Sequence, residues 1–302
     1  MFLRISISNR SESVSNITSG VYTSTQRLIP LNTQPKTQNT TPDQNNTPTK
    51  TNTRSNQRKD LLEYAYHTYD NVVAVTDDIV APTQILAGKD KKINIVKNTI
   101  DYKTILANSE QPIALDPTTK CSVEPEKFYE IMQSDAKKFI NVGRYSPEKG
   151  HDRLIDAFYK LWQKDNSIYL IIMGGNSRAK KYEELIEKVN GMGLTDNVIL
   201  LLAVSNPYPI IKACDGFILS SLYEGFGLVL AEADILGLPI VSTDITGPRT
   251  FMKKYGGTLI ENSDEGVYKG LQMLYNGEIK PINVDYEAYN QECVAEFEKL
   301  FE

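Results

Sequence analysis

The chain has 302 residues, a length that allows one large core or two modest ones. Apolar residues at 40% and charged residues at 24% match an ordinary globular protein and exclude the compositional extremes of wholly disordered and membrane-embedded chains. With 38 acidic against 33 basic residues and a net charge of -5, no long basic stripe is available to follow a polyanion, so nucleic acid is not an expected partner.

The N-terminus MFLRISISNR lacks the apolar run of ~7–15 residues that a signal peptide needs. No stretch approaches the ~18 consecutive apolar residues of a membrane span. Cys121, Cys214 and Cys293 are odd in number, widely spaced and without a CxxC or Cys/His cluster, which argues against a disulfide framework and a zinc site. A cytoplasmic protein is expected, at most peripherally attached to the inner face of the membrane.

From Asn32 to Asp60 there is no aliphatic, aromatic, Met or Cys residue. Such a segment cannot bury enough apolar surface to offset its ordering entropy, so residues 1–60 read as a low-complexity, disordered tail. LLEYAYHTYD, from Leu61, has a helical look, and Val72–Thr76 and Ile93–Lys97 read as strands with a helical piece between them. Residues 103–137, with Pro112, Pro117 and Pro125, read as irregular connector, completing a segment 61–137 of unsettled character.

From Lys138 the pattern becomes regular. Phe139–Val142 reads as a strand, and Leu154, Ile155, Phe158, Leu161 and Trp162 then fall on one helix face. Strands follow at Ile168–Met173 and Val198–Leu202, with a helix between them that stops at Gly191. The alternation continues through strand Gly216–Ser220, helix Leu228–Leu236 and strands Ile240–Thr243 and Thr258–Ile260. Strands alternating with helices predict an α/β fold, a doubly wound parallel sheet covered on both faces, over residues 138–302. Ligands of such sheets sit outside the carboxyl ends of the strands, so the turns after Val142, Met173, Ser220 and Thr243 should line one crevice.

Two of those turns carry chemistry. Gly143-Arg144-Tyr145-Ser146-Pro147-Glu148-Lys149-Gly150 places a guanidinium and an ammonium on one loop, a pair suited to a diphosphate. A solvated Arg and Lys would have the same composition; the position at a strand's carboxyl end favours a ligand. Ser220-Ser-Leu-Tyr-Glu-Gly-Phe-Gly-Leu-Val-Leu-Ala-Glu232 runs from strand through a glycine-containing loop into a helix. Free amides near Phe226, Gly227 and Leu228, backed by the helix dipole, would form an anion cradle. Glu224 precedes the helix and Glu232 lies within it, about 7.5 Å along the axis from Gly227. Two carboxylates so spaced can accept hydroxyls from different parts of an extended ligand, or serve as a capping and a solvated glutamate. Asp215 and Asp244, read as strand ends near the crevice, fit turn or capping roles better.

The pairing of GRYSPEKG with EGFGLVLAEA and then GLPIVSTDITGPRTFM resembles the donor half of the retaining glycosyltransferases of family four, which have the GT-B fold. The resemblance covers residues 138 to about 302 and implies a nucleotide-sugar-binding domain. It implies that Arg144 and Lys149 hold the donor diphosphate, that Gly143 and the amides at Phe226, Gly227 and Leu228 approach phosphate or sugar, and that Glu224 and Glu232 contact the donor sugar and the ribose. Arg144, Lys149 and Glu224 would be the catalytic group. No cofactor or metal is implied, since these cations and amides stand where other transferases use Mg2+. The implied partners are a nucleoside-diphosphate sugar, UDP-linked, and a glycan or polyol-phosphate acceptor. Asp285–Asn290 followed by AEFEKLFE is similar to the ends of transferases of teichoic-acid and related glycopolymer loci.

The match stops short of a complete member, which has an acceptor domain with a glycine-rich loop and a histidine facing the donor. His67 and His151 read instead as surface or packing residues. Residues 61–100 resemble the last strands of that acceptor domain, with Asn98 to Asp101 at its close. The segment before Leu61 resembles nothing in the family; truncation, a frameshift or an altered start would each produce this picture. The alternative function is therefore a nucleotide-sugar-binding remnant, or a subunit completed by a partner chain. A plain dinucleotide-binding domain is disfavoured, because G-x-G-x-x-G is missing after the first strand.

Overall fold

The computed structural model describes Tyr66 and residues 72–175, 179–225 and 227–301. The chain divides into two units, residues 1–70 and 71–302, and the second holds the sheets and the helices that cover them. The tail expected over residues 1–60, the helix expected from Leu61 apart from Tyr66, and His67 lie outside the described residues.

The second unit opens with a parallel pair, β1 (Val72–Ala74) and β2 (Ile93–Ile95), joined by α1 (Asp77–Ala87). The large sheet has seven strands. They are β3 (Lys120–Cys121), β4 (Lys138–Val142), β5 (Tyr169–Gly174), β6 (Val198–Leu202), β7 (Gly216–Leu219), β8 (Ile240–Thr243) and β9 (Thr258–Ile260), in the spatial order β3-β6-β5-β4-β7-β8-β9. All pairings from β6 to β9 are parallel, whereas β3 runs antiparallel along the β6 edge, with Lys120 opposite Leu202.

The helices of this unit beyond α1 are α2 (Tyr102–Ser109), α3 (Pro125–Gln133), α4 (His151–Trp162), α5 (Ala179–Gly191), α6 (Tyr208–Lys212), α7 (Leu228–Ile235), α8 (Pro248–Tyr255), α9 (Asp264–Tyr275) and α10 (Tyr286–Glu298). Two-residue periodicity sends alternate strand residues to opposite faces. Ile140, Ile171, Leu201, Phe217 and Ile240 join Phe128, Ile211, Leu230 and Met252 on one side. Phe139, Leu170, Leu200, Ile218 and Val241 join Leu154, Phe158, Leu185 and Leu271 on the other. Both faces are therefore dry, as a parallel sheet requires.

Residues 103–137 differ from the irregular connector expected of them, since they contain α2, β3 and α3. Asp101 accepts the Thr104 amide at 3.1 Å and starts α2. Pro125, which suggested a loop, stands in the first turn of α3, where a missing amide hydrogen costs nothing. The two-residue β3 is too short for periodicity to reveal, and it adds one antiparallel edge to a sheet expected to be wholly parallel.

The last helix returns to the start of this unit. On α10, Tyr289 donates to the Asn98 carbonyl at 3.0 Å, and Asn290 both accepts the Ile100 amide and donates to the Ile100 carbonyl at 2.8 Å. Lys97 pairs with Glu296 at 2.5 Å. Asp234, buried on α7, receives the Asn283 and Val284 amides at 2.8 and 3.0 Å and the Tyr286 hydroxyl at 2.9 Å, which fixes the approach to α10.

Candidate functional site

The strand order reverses between β4 and β7: β5 and β6 lie to one side of that pair, and β8 and β9 to the other. A crevice opens at such a switch point because the loops leaving the two central strands diverge to opposite faces. The two chemistry-bearing loops predicted from sequence leave β4 and β7.

The loop after β4 is pinned from below. Gly143 donates to the Met173 carbonyl at 2.9 Å, and the buried Tyr145 hydroxyl shares its proton between the Ile172 and Leu201 carbonyls at 2.8 and 2.9 Å. A Cβ on Gly174 would lie 1.9 Å from the Gly143 carbonyl oxygen, so only glycine lets the β4 and β5 ends approach this closely. A single 3-10 turn, Pro147–Lys149, then carries the chain to Gly150, which adopts φ 65° before α4 begins.

This geometry separates the two cations that the sequence places together. Lys149 is turned inward, its ammonium bonded to Glu224, with side chains only 11% and 17% exposed. Arg144 is 65% exposed and sits 3.6 Å from Glu148 at the rim. A hydrogen bond from Ser146 holds the Glu148 carboxyl below the usual carboxylate range. Gly143 lies against the Lys149 stem: a Cβ there would be 3.1 Å from the Lys149 Cδ.

The loop after β7 begins with Ser220 and Ser221, both fully buried. Thr243 donates to the Ser221 carbonyl at 2.7 Å, and Leu222 donates to the Glu148 carbonyl at 2.8 Å, tying this loop to its neighbours. Gly227, at φ 77°, starts α7 with no side-chain cap and no acidic residue in the first turn. The positive end of the helix is thus left for a ligand to satisfy, with Leu228 first on it. A Cβ on Gly247 would lie 2.4 Å from the Gly225 carbonyl oxygen, so the turn before α8 rests directly on the Glu224 loop. Phe226 lies outside the described residues.

Glu232 is half-buried on α7 and makes no side-chain hydrogen bond or ion pair among the described residues; burial raises its pKa above the ordinary carboxylate value. On α6, burial and then the charge of Glu232 push the Tyr208 phenol up to about 12. A raised folded pKa means that the folded state favours the protonated carboxyl, so the charged form penalises folding near neutral pH and the penalty fades as pH falls into the carboxylate range. Glu232→Gln is accordingly expected to raise the melting midpoint by roughly a degree or two near neutral pH and to bring no gain near pH ~4. Thermal melts at the two pH values check this.

One sequence expectation is corrected. Asp215 does not end a strand at the crevice; it precedes β7 at the opposite end of the sheet, where it accepts the Lys138 amide at 2.8 Å. Asp244 does follow β8, and there it pairs with Arg249 at 2.5 Å. His151 is a packing residue, as expected. Its Nε2 lies 3.1 Å from the Asn141 Oδ1, and its ring meets Tyr145 edge-on at 5.5 Å. Sequence reasoning missed Arg153, whose guanidinium lies beneath both loops and bonds to Ser220, Ser221 and Asn262. Its only sequence signal is a charge on the apolar face of α4.

The family model of glycosyl transferases group 1 matches residues 123–291, more than half of the chain. The chain belongs to the group 1 glycosyltransferases. An uncharacterized glycosyltransferase of Methanocaldococcus jannaschii is 39% identical over 46% of this chain and 34% of its own length. The capsular polysaccharide biosynthesis glycosyltransferase CapM of Staphylococcus aureus is 28% identical over 67% of this chain and 53% of its own length. The chain thus spans about half or less of the length of these relatives. Among solved structures, Anabaena HepE in complex with UDP and glucose aligns with TM-score 0.62 and 18% identity over 82% of this chain and 66% of that one. That likeness shows a shared GT-B fold. In this group 1 glycosyltransferase, Lys149, Glu224, Gly143, Gly227 and Leu228 gather at the switch point, Arg144 stands at the rim and Glu232 lies further along α7.

Proposed function

We propose that this chain forms the donor site of a retaining, metal-independent glycosyltransferase. It would transfer a hexosyl or N-acetylhexosaminyl group from a UDP-sugar to a glycan or polyol-phosphate acceptor. The observation that carries the reading is the nearly buried Lys149–Glu224 pair beside the uncapped start of α7, at the switch point of the sheet. An ammonium has three donors, so one can hold Glu224 while two remain for phosphate oxygens. When the bond between the anomeric carbon and the diphosphate oxygen breaks, negative charge collects on the departing diphosphate. Lys149 and the Leu228 end of α7 supply preorganised positive potential for it.

Arg144 adds a second cation by turning in from its exposed pairing with Glu148, a contact that holds it by no more than ~1 kcal/mol. Glu224 would receive a sugar hydroxyl and Glu232 a ribose hydroxyl, while Gly143 and Gly227 let backbone approach the phosphates, with Phe226 between the two glutamates in sequence. UDP is favoured because the Anabaena protein is described with UDP and glucose. A glycopolymer acceptor is favoured by the capsular polysaccharide role of CapM. Retention and the teichoic-acid kind rest on the sequence resemblance alone.

Calorimetric titration with UDP-glucose and UDP-N-acetylglucosamine in EDTA tests the reading. Saturable binding with Kd in the range of ~1 µM–1 mM is expected, weakened about tenfold by Glu232→Ala. No binding of either sugar nucleotide would sink it, and a large gain on adding Mg2+ would sink its metal-independent part. A second reading is donor binding without turnover unless a partner chain supplies the acceptor face. UDP release assayed with and without glycopolymer acceptors separates the two.

A further inference from the structure

We infer that Arg153 is a positioning residue that holds the Lys149 loop and the Glu224 loop in fixed register across the switch point; this rests on the donor-site reading above. Arg153 stands in the first turn of α4 and is 8% exposed. Its Nε and Nη2 donate to the Ser220 carbonyl at 2.9 and 2.6 Å, and Nη2 also reaches the Ser221 carbonyl and the Asn262 Oδ1, both at 2.8 Å. All four contacts are to neutral oxygens.

Taking a guanidinium out of water without a bonded carboxylate is unfavourable, and the neighbouring Leu154 and Ile155 show what ordinary packing uses on this face. The arrangement explains the expense. Ser220 and Ser221 are the last residues before the exposed Leu222 and Tyr223, and Glu224 follows directly. Arg153 follows Lys149 by four residues, in the first turn of α4 just past the left-handed Gly150. Its planar fork reads two successive carbonyls at once, which a lysine's single ammonium cannot do with equal definition.

The surroundings point the same way. A Cβ on Gly150 would lie 2.2 Å from the Ser220 carbonyl oxygen, so the start of α4 is pressed against the end of β7. Ser220 donates its hydroxyl to the Lys149 carbonyl at 3.0 Å, and the Leu222 amide donates to the Glu148 carbonyl at 2.8 Å. The Lys149 ammonium and the Glu224 carboxylate therefore meet because their two backbones are bolted together underneath. A displacement of about 1 Å at such a site can cost on the order of a hundredfold in turnover.

The test compares wild type, Arg153→Met and Arg153→Lys by UDP-glucose calorimetry and by hydrogen exchange of two amides. One is Leu222, which bridges the loops; the other is Phe217, bonded to the Pro239 carbonyl at 2.9 Å within the sheet. Arg153→Met is expected to weaken binding at least about tenfold and to speed Leu222 exchange while Phe217 keeps its protection, with Arg153→Lys recovering part of both. Should the methionine variant fail to fold, the lysine variant carries both readouts. Equal changes at Leu222 and Phe217 would reduce Arg153 to a global stabiliser, and unchanged affinity would equally overturn the inference. If wild type does not bind UDP-glucose, the donor-site reading fails while the Leu222–Phe217 comparison still decides whether Arg153 orders the loop.

Discussion

Lys149→Met is expected to weaken UDP-glucose binding about a hundredfold or more, the largest loss of any single change at the switch point. The ammonium faces two demands there, since it neutralises Glu224 and supplies the only inward-turned lysine or arginine charge on the loop after β4. A diphosphate without it meets an uncompensated carboxylate, so repulsion is added to lost attraction. Charge-assisted contacts of this kind are worth ~2–5 kcal/mol when one partner is truncated. The same substitution destabilises the fold by about 1–2 kcal/mol, less than for a fully enclosed pair, because water still reaches side chains that are 11% and 17% exposed. The double variant Lys149→Met/Glu224→Gln separates the roles. Stability should return with the carboxylate neutralised, whereas affinity should not, as read by urea melts and calorimetry on the same samples. A double variant that binds like wild type would mean that Lys149 serves packing only.

A second large effect is expected in acid. His151 is fully buried, and its pKa is lowered to about 4, first by desolvation and then by the charge of Lys149. Lys181 adds to the depression, and Asp152 and Glu148 oppose it. The hydrogen bonds explain the preference for neutrality: Asn141 gives its amide hydrogen to the Ile218 carbonyl at 2.6 Å, so its Oδ1 accepts from His151 Nε2. The remaining His151 Nδ1 is buried without a partner, and a proton placed there would have no acceptor. A folded pKa below the ordinary 6.5 means that the unfolded chain binds the proton more tightly. The contribution is therefore complete above about pH 6.5, drains away as pH falls and is gone near pH 4, at a cost of about 3 kcal/mol. His151→Gln, which keeps a donor for Asn141, should lose less stability over that window by about this amount. Urea unfolding at several pH values measures the difference, and parallel curves for both proteins would contradict it.

The sequence made the sheet and the site legible to unequal degrees. Val198–Leu202, Ile240–Thr243 and Thr258–Ile260 were bounded to the residue, because each is a β-branched or leucine-rich run between glycine or polar breaks. Glu224, Glu232, Gly143 and Lys149 stood out because the ligand-facing loops carry their chemistry in short contiguous motifs. Arg153 and Tyr145 did not stand out, since each acts on backbone brought near by folding. The same limit hid the inward turn of Lys149 against the outward turn of Arg144, which depends on the 3-10 turn and on Gly150. Asp215 was misplaced because a polar residue beside a strand does not itself reveal which end of the strand it marks.

The closure of the last helix onto Lys97–Ile100 bears on synthesis. Those hydrogen bonds join residues about 190 positions apart, between Asn290 and Ile100, so the entry to the sheet stays unlatched while the ribosome is still making what lies between. Contacts of such separation form late and set the pace of folding. A nascent chain stalled before Tyr286 would carry the Asp234 carboxylate without the hydroxyl that covers it, and Asn98 without its donor. The unit gains these contacts only after translation has passed α10.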